Sequence, residues 1–315
     1  FEGKQKCGTF KYMKIKLSDF SRAYLMVKRG DHPCIGQWAL PGGFVNIDEN
    51  LDDAALRELR EETGLDNIYP EQLYTWGDVG RDPRTRIITV SYLSLVSSPV
   101  PSVAAGDDAD DARWMNVLLE KCSTKKIFSG NTLVYEIIYR LDLSWDEEGA
   151  GNEGKSGKKE ELENKEKASH GEELSNKGEP SKKEDPCENG KVYAVLKKVK
   201  TIKGKVSTTR WEIMESNQIA FDHAKIIAYG IEKLREKIWY TDIASKLMPE
   251  LFTLADLKQV YELILDMKLE GDWFKKKIAG IVIESGEYIK HDGSVQGNKH
   301  ASLFRFNHEF NIMQA

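Results

Sequence analysis

The chain has 315 residues, 40% of them hydrophobic and 31% charged, with a formal net charge of −5; at about 100–200 residues per domain this length fits two domains. A mildly acidic balance excludes a globally basic nucleic-acid binder, so any basic surface must be local. The longest apolar runs, such as residues 87–90 and 137–139, are far too short to span a bilayer, and residues 1–10 carry no secretory signal.

Taken in order, residues 11–17 and 23–29 read as β-strands. Residues 30–43 read as a loop ending in Leu40-Pro-Gly-Gly43, and a helix is predicted over 51–62, stopped by Gly64. Strand patterns recur at 71–77, 86–96, 112–116 and 132–143. Residues 146–190 are almost entirely Glu, Lys, Gly, Ser and Asn. Such a composition cannot bury enough apolar surface to offset its ordering entropy, which predicts a disordered insert, an overgrown loop between strands. Strands resume at 191–199 and 207–214, with a turn at Lys203-Gly204. The four cysteines, Cys7, Cys34, Cys122 and Cys187, are too scattered for a metal site and fit a reduced, cytoplasmic protein.

From 217 to 237 the residues Ile219, Phe221, Ala224, Ile227, Ile231 and Leu234 recur at helical intervals. A short helix follows over 241–247. Thr253 caps a second helix, with Asp256 completing a capping box. Asp272 is expected to cap a third, short helix through Ile278, and strands at 280–284 and 302–306 close the chain. Three short helices and a hairpin outline a winged helix-turn-helix domain. The predicted division is 1–238 and 239–315.

The chemistry-bearing segment runs from Gly43 to Leu65: Gly43, five residues, Glu49, seven residues, then Arg57-Glu58-Leu59-Arg60-Glu61-Glu62-Thr63-Gly64-Leu65. Gly43 permits a tight loop and lets a backbone carbonyl approach a cation. Glu58, Glu61 and Glu62 stand at i, i+3 and i+4, so their carboxylates share one helix face. Converging carboxylates repel unless cations neutralise them, and oxygen ligands of this kind suit Mg2+ or Mn2+. Those ions can bridge pyrophosphate oxygens and acidify the attacking water. Arg57 lies one turn from Glu61 and can hold a carboxylate bidentately, with Glu49 anchoring it from the other side. A glutamate-rich surface helix held by i,i+4 pairs is the bland alternative. The full pattern outweighs it, with chance odds on the order of one in ten million.

This segment resembles the signature of the Nudix hydrolase family, without departures at its constrained positions. The resemblance implies an α/β fold, an α/β/α sandwich around a mixed sheet, and attack of water on a diphosphate joining a nucleoside to another group. It assigns Glu58, Glu61 and Glu62 as metal carboxylates, Gly43 as the backbone metal contact, and Arg57 and Glu49 as the orienting pair. Residues 1–17 depart from the family's usual opening strand and leave that edge of the fold undefined.

Further residues narrow the resemblance. Trp38-Ala-Leu-Pro-Gly-Gly-Phe-Val45, Leu73-Tyr-Thr-Trp-Gly-Asp78 and Arg81-Asp-Pro-Arg84 resemble the branch containing ADP-ribose pyrophosphatases and Nudix-related transcriptional regulators. Ala220-Phe-Asp-His223, the stretch from Phe252 to Glu262, Trp273-Phe-Lys-Lys-Lys-Ile278 and Leu303-Phe-Arg-Phe306 resemble the regulators' C-terminal half. Arg81, Arg84 and Arg86 are candidate phosphate contacts. The acidic stretch of Asp107, Asp108, Asp110 and Asp111 lies where relatives often supply another metal carboxylate. Lys275, Lys276 and Lys277 lie on the helix expected to enter a DNA groove. At Gly297-Asn-Lys-His300 the regulators typically have Gly-Arg-Pro-Ala, so Lys299 is only a partial substitute for the missing arginine. Two functions follow. The intact box favours a Mg2+-dependent hydrolase of ADP-ribose or a related nucleoside-diphosphate sugar, which ranks first. The winged helix favours an ADP-ribose-sensing, DNA-binding regulator of NAD or sugar metabolism. The resemblance implies a homodimer, and nothing in the sequence calls for a membrane.

Overall fold

The computed structural model describes residues 9–18, 21–63, 70–97, 109–145, 190–240, 242–290 and 300–307. The strands are β1 (Thr9–Ser18), β2 (Ser21–Arg29), β3 (Trp38–Ala39), β4 (Glu71–Trp76), β5 (Thr89–Ser97), β6 (Ala109–Ser129), β7 (Thr132–Ser144), β8 (Lys191–Lys203) and β9 (Val206–Asn217). They form one sheet in the order β4-β5-β1-β2-β6-β7-β8-β9, with β3 on β2. Of the described pairs within the sheet path, β1 and β5 run parallel and the others antiparallel. The sheet is therefore mixed, as expected.

The part of the chain that the sequence left undefined is a central strand. β1 lies between β5 and β2, paired from Thr9↔Thr89 to Leu17↔Ser97, and Met13-Lys14-Ile15-Lys16-Leu17 has the period-2 alternation of a strand. The largest underestimate is β6, expected over 112–116 and observed over 21 residues. Its distal half, from Glu120 to Lys126, is exposed. Apolar periodicity therefore had nothing to register there, and the half is held by its ladder to β7.

β7 and β8 pair from Thr132↔Lys203 to Ser144↔Lys191, and the Trp145 N–H donates to the Gly190 carbonyl at 3.0 Å. Gly190 has φ +59, and a Cβ there would meet the Trp145 carbonyl oxygen at 2.9 Å. The expected insert, which apart from Gly190 lies outside the described residues, therefore leaves and rejoins the body at hydrogen-bonded neighbours.

Helix α1 (Leu51–Thr63) buries Ala54, Ala55 and Leu59 against Tyr92 of β5. The next residue, Leu93, belongs to the other core cluster, with Ile226, Ile227, Ile231 and Leu234 of helix α2 (His223–Lys237). Successive strand residues face opposite sides, so α1 and α2 cover the two faces of the sheet. This is the α/β/α sandwich. α2 begins six residues later than the helical periodicity suggests. Ile219 and Ala220 are buried not on a helix but beside β3, where the Trp38 N–H donates to Gln218 and the Ala220 N–H donates to Trp38, both at 2.8 Å. Gln218 and Phe221 adopt left-handed φ values of 61 and 53, which breaks the helical path before His223.

After a 3-10 turn (Asp242–Leu247) come α3 (Leu254–Leu265), α4 (Gly271–Ile278) and the antiparallel hairpin β10 (Val282–Lys290) and β11 (His300–Phe306). The capping box of Thr253 and Asp256 is present. α4 is capped by Glu270, which accepts from the Asp272 and Trp273 N–H groups, and not by Asp272. Glu270 stands two and three residues before these donors, where an N-cap side chain reaches both. Phe252, Leu257, Tyr261, Ile264, Phe274 and Ile278 form this unit's core, which is continuous with the sheet through α2. Each such side chain contributes about 1.5–3 kcal/mol when fully buried, so the α2 seam is a firm attachment.

Candidate functional site

Arg57 on α1 is the hub of the box. Its Nε and Nη2 donate to the two Glu49 oxygens at 2.8 and 2.5 Å, and its Nη1 donates to Glu58 at 2.7 Å and Glu61 at 2.9 Å. Nη2 also reaches the Phe44 carbonyl at 3.1 Å. The Arg57 bonds hold the Glu49 carboxyl down at about 2, and Glu49 raises the guanidinium in return. The contact of Arg57 with Glu49 expected from the sequence is present, and one arginine serves three carboxylates.

Gly43 has a steric role in this loop. A Cβ at this position would overlap the Glu58 carboxylate, so only glycine lets that group lie against the loop backbone. Hard-cation chemistry fits Glu58 over Gly43, because both present oxygen. Among the described residues no three metal-ligating side chains converge. Glu61 turns to Arg57 and is half exposed, and the Glu62 side chain lies outside the described residues.

Beside Glu58 opens a cavity of about 270 Å3. Arg29, Phe44, Arg84, Phe221 and His223 are among its lining residues. The Arg84 guanidinium lies 5.6 Å from the Phe44 ring centroid and 5.7 Å from that of Phe221, and Arg29 lies 5.1 Å from Phe221. Arginine stacked on aromatic faces forms a wall that can receive both a flat base and a phosphate. Arg84 is also clamped by Asp82 at 2.7 and 3.0 Å. Burial pushes the Asp82 carboxyl up, but the Arg84 bonds outweigh it and hold it low.

The three arginines picked from sequence separate. Arg81 and Arg84 line the cavity. Arg81 is buried in a bidentate pair with Asp222, at 3.0 and 2.7 Å, and also donates to Thr89. Arg86 is not among the lining residues and donates to the Asp78 carbonyl at 2.9 Å. Of the acidic stretch, Asp107 and Asp108 lie outside the described residues, and Asp111 pairs with Arg113 at 2.6 Å.

Sequence reasoning missed Arg29 and the contribution of residues 221–223. The stretch from Ala220 to His223 read as a helix start, whereas its Phe221 and His223 line the cavity. Phe221 stands in the left-handed region, a costly conformation for an aromatic residue that often marks a functional site. His223 accepts the Leu40 N–H on Nδ1 at 3.0 Å, joining α2 to the Leu40-Pro-Gly-Gly43 loop.

On α4, Lys275, Lys276 and Lys277 are exposed while Phe274 and Ile278 are buried. The helix thus presents three cations outward from a packed base. Lys299 lies outside the described residues.

Residues 15–127 match the NUDIX domain, and residues 244–306 match the NrtR DNA-binding winged helix domain. The ADPR responsive transcriptional repressor NtrR of Acinetobacter baylyi is 26% identical over 91% of this chain and 78% of its own length. An ADP-ribose pyrophosphatase of Methanocaldococcus jannaschii is 37% identical over 30% of this chain and 54% of its own. The crystal structure of Shewanella oneidensis NrtR complexed with a 27mer DNA shares the fold at a TM-score of 0.50 and 21% identity, over 97% of this chain and 95% of that one. The chain thus joins a Nudix domain over residues 15–127 to a winged helix domain of the NrtR type over residues 244–306.

Proposed function

We propose that this chain is a DNA-binding transcriptional regulator whose Nudix cavity binds ADP-ribose, acting in the cytoplasm as a homodimer. The observation that carries this reading is the placement of α2. Phe221 and His223, at its start, wall the cavity, while Ile231 and Leu234 share a core with the winged unit. A ligand in the cavity therefore touches the element that carries the DNA-binding unit, and Lys275, Lys276 and Lys277 supply phosphate contacts. This reverses the order taken from sequence, where the intact box put hydrolysis first. The box concerns one short segment, whereas the likeness to the Acinetobacter repressor runs over 91% of the chain.

Hydrolysis of ADP-ribose is the second reading, favoured by the complete Arg57 hub. Glu58, Glu61, Glu62 and the Gly43 carbonyl would hold Mg2+ or Mn2+, which when bound neutralises diphosphate charge and acidifies water. Arg57 and Glu49 orient the carboxylates, and Arg84 holds a phosphate at the cavity wall; Arg81 is a second phosphate contact, and Arg86 contributes from outside it. Lys299 extends the DNA contact from the hairpin loop. We place the domain division at 238/239, where α2 gives way to the winged unit.

A gel-shift titration on DNA upstream of the protein's own coding region, at low salt, tests the first reading. ADP-ribose is expected to weaken the shifted band, and the Glu62→Gln background prevents turnover. No band at low salt removes the regulator reading for that site. Release of AMP from ADP-ribose, Mg2+-dependent and abolished by EDTA and by Glu62→Gln, supports the second.

A further inference from the structure

The buried pair between Arg81 and Asp222 ties the loop between β4 and β5 to the start of α2 across 141 positions of sequence. Arg81 comes from the stretch between β4 and β5, and Asp222 immediately precedes α2. Their side chains are only 5% and 9% exposed, yet Arg81 lines the cavity while Asp222 does not. The pair uses Nε and Nη2 of Arg81, the edge with which a guanidinium takes a phosphate bidentately. A phosphate and Asp222 cannot both hold that edge.

A second cation stands within reach of Asp222. Lys225, in the first turn of α2, is paired with Asp78, and its Nζ lies 3.8 Å from Asp222 Oδ2. Asp78 is largely exposed, so water can replace its partner. Asp222 is buried and cannot be left alone without a large desolvation cost.

We propose that Asp222 is a built-in competitor of ligand phosphate for Arg81, and that Lys225 takes over Asp222 when the ligand wins. This deepens the ADP-ribose reading above and rests on it. The exchange breaks the contact of Lys225 with Asp78 and re-pairs charges at the start of α2. At the other end, Arg235 of α2 donates to the Ile264 carbonyl of α3 at 3.2 Å, so a displacement of α2 reaches the winged unit.

The test is calorimetric titration of the full chain with ADP-ribose in EDTA, with thermal melting as a check on folding. Asp222→Asn keeps the shape and removes the competing charge. It is expected to bind ADP-ribose roughly 5-fold or more tighter than wild type, and to lose most of the ADP-ribose response in the gel shift. A purely structural role for the pair predicts weaker binding, and that sign would overturn the proposal. Lys225→Met removes the substitute partner and should weaken ADP-ribose binding by a similar factor; equal or tighter binding overturns the exchange. This second variant decides the matter even where Asp222→Asn fails to fold. Wild-type protein that does not bind ADP-ribose at all would instead overturn the ligand reading itself. Wild type that binds, with Asp222→Asn weakened, overturns only the competition.

Discussion

Two arginines hold carboxylates at the cavity, Arg57 behind the lining residue Glu58 and Arg81 on the wall itself, and their surroundings differ. Arg57 is 27% exposed and shares its donors among Glu49, Glu58 and Glu61. Arg81 is 5% exposed and gives a bidentate edge to one carboxylate. The first cluster carries more negative than positive charge and is partly open to water through Glu61 and Arg57, so a cation would relieve its excess charge. The second is charge-balanced and buried, so it holds the body to α2 and resists change until another anion arrives. The comparison teaches that burial, more than the number of ion pairs, separates a carboxylate cluster that can accept a cation from a pair that holds two elements together.

Removing each arginine tests this contrast first. Arg81→Met leaves Asp222 buried without its main partner and should cost about 3–5 kcal/mol of stability. Arg57→Met should cost less, about 1–3 kcal/mol, as Glu61 is 58% exposed while Glu49 and Glu58 keep partial access to water at 14% and 13%. Urea unfolding of both variants measures the difference, and equal losses would break the distinction.

A third kind of cation lies on α4, exposed and facing outward. Lys276→Glu should abolish the gel shift at moderate salt and lower the slope of log affinity against log salt by about 1. ADP-ribose affinity should be unchanged. If both affinities fall together, the winged unit and the cavity are less separable than their burial suggests.

Acid sensitivity offers a finer measure. The Glu49 carboxyl sits at about 2 against an ordinary 4.5. A carboxyl depressed in the folded state adds stability that is present above its unfolded value and lost as pH falls through the folded one. Wild type should therefore lose this contribution between about pH 4.5 and 2, and Glu49→Gln should lack that part of the slope in acid titrations of unfolding. An unchanged slope would remove Glu49 from the Arg57 hub.

The smallest effect belongs to the segment between β7 and β8. Replacing residues 146–189 with a short Gly/Ser turn should leave the melting temperature nearly unchanged, since Trp145 and Gly190 are already bonded and long loops cost little more than short ones. A marked drop would show that the segment packs on the body and would add a third region to the comparison.

Much of this architecture was legible in the residues. The i, i+3, i+4 carboxylates, Arg57 and Glu49 named the box, and the pattern Thr253 to Asp256 named a helix start that the structure contains. These signals are local: spacing on one helix puts Arg57 within reach of Glu61, and a capping box lies within a single turn. The strand β6 was read short and α2 was read long for one reason. Apolar periodicity reports burial, and β6 extends beyond the buried region while Ile219 and Ala220 are buried without being helical.

What the sequence by itself determined was the chemistry available: carboxylates on one helix face, arginines near a strand start, lysines on a capped short helix. What only the tertiary structure decided was which of these groups meet. Arg81 and Asp222 are 141 residues apart, and neither position carries a spacing signal that could pair them. Likewise Phe221 and His223 read as the opening of a helix, and they became cavity walls only when β3 drew residues 218–220 alongside it. The physical reason is that short-range periodicity follows from backbone geometry, whereas the pairing of distant charges follows from which surfaces the whole sheet buries together.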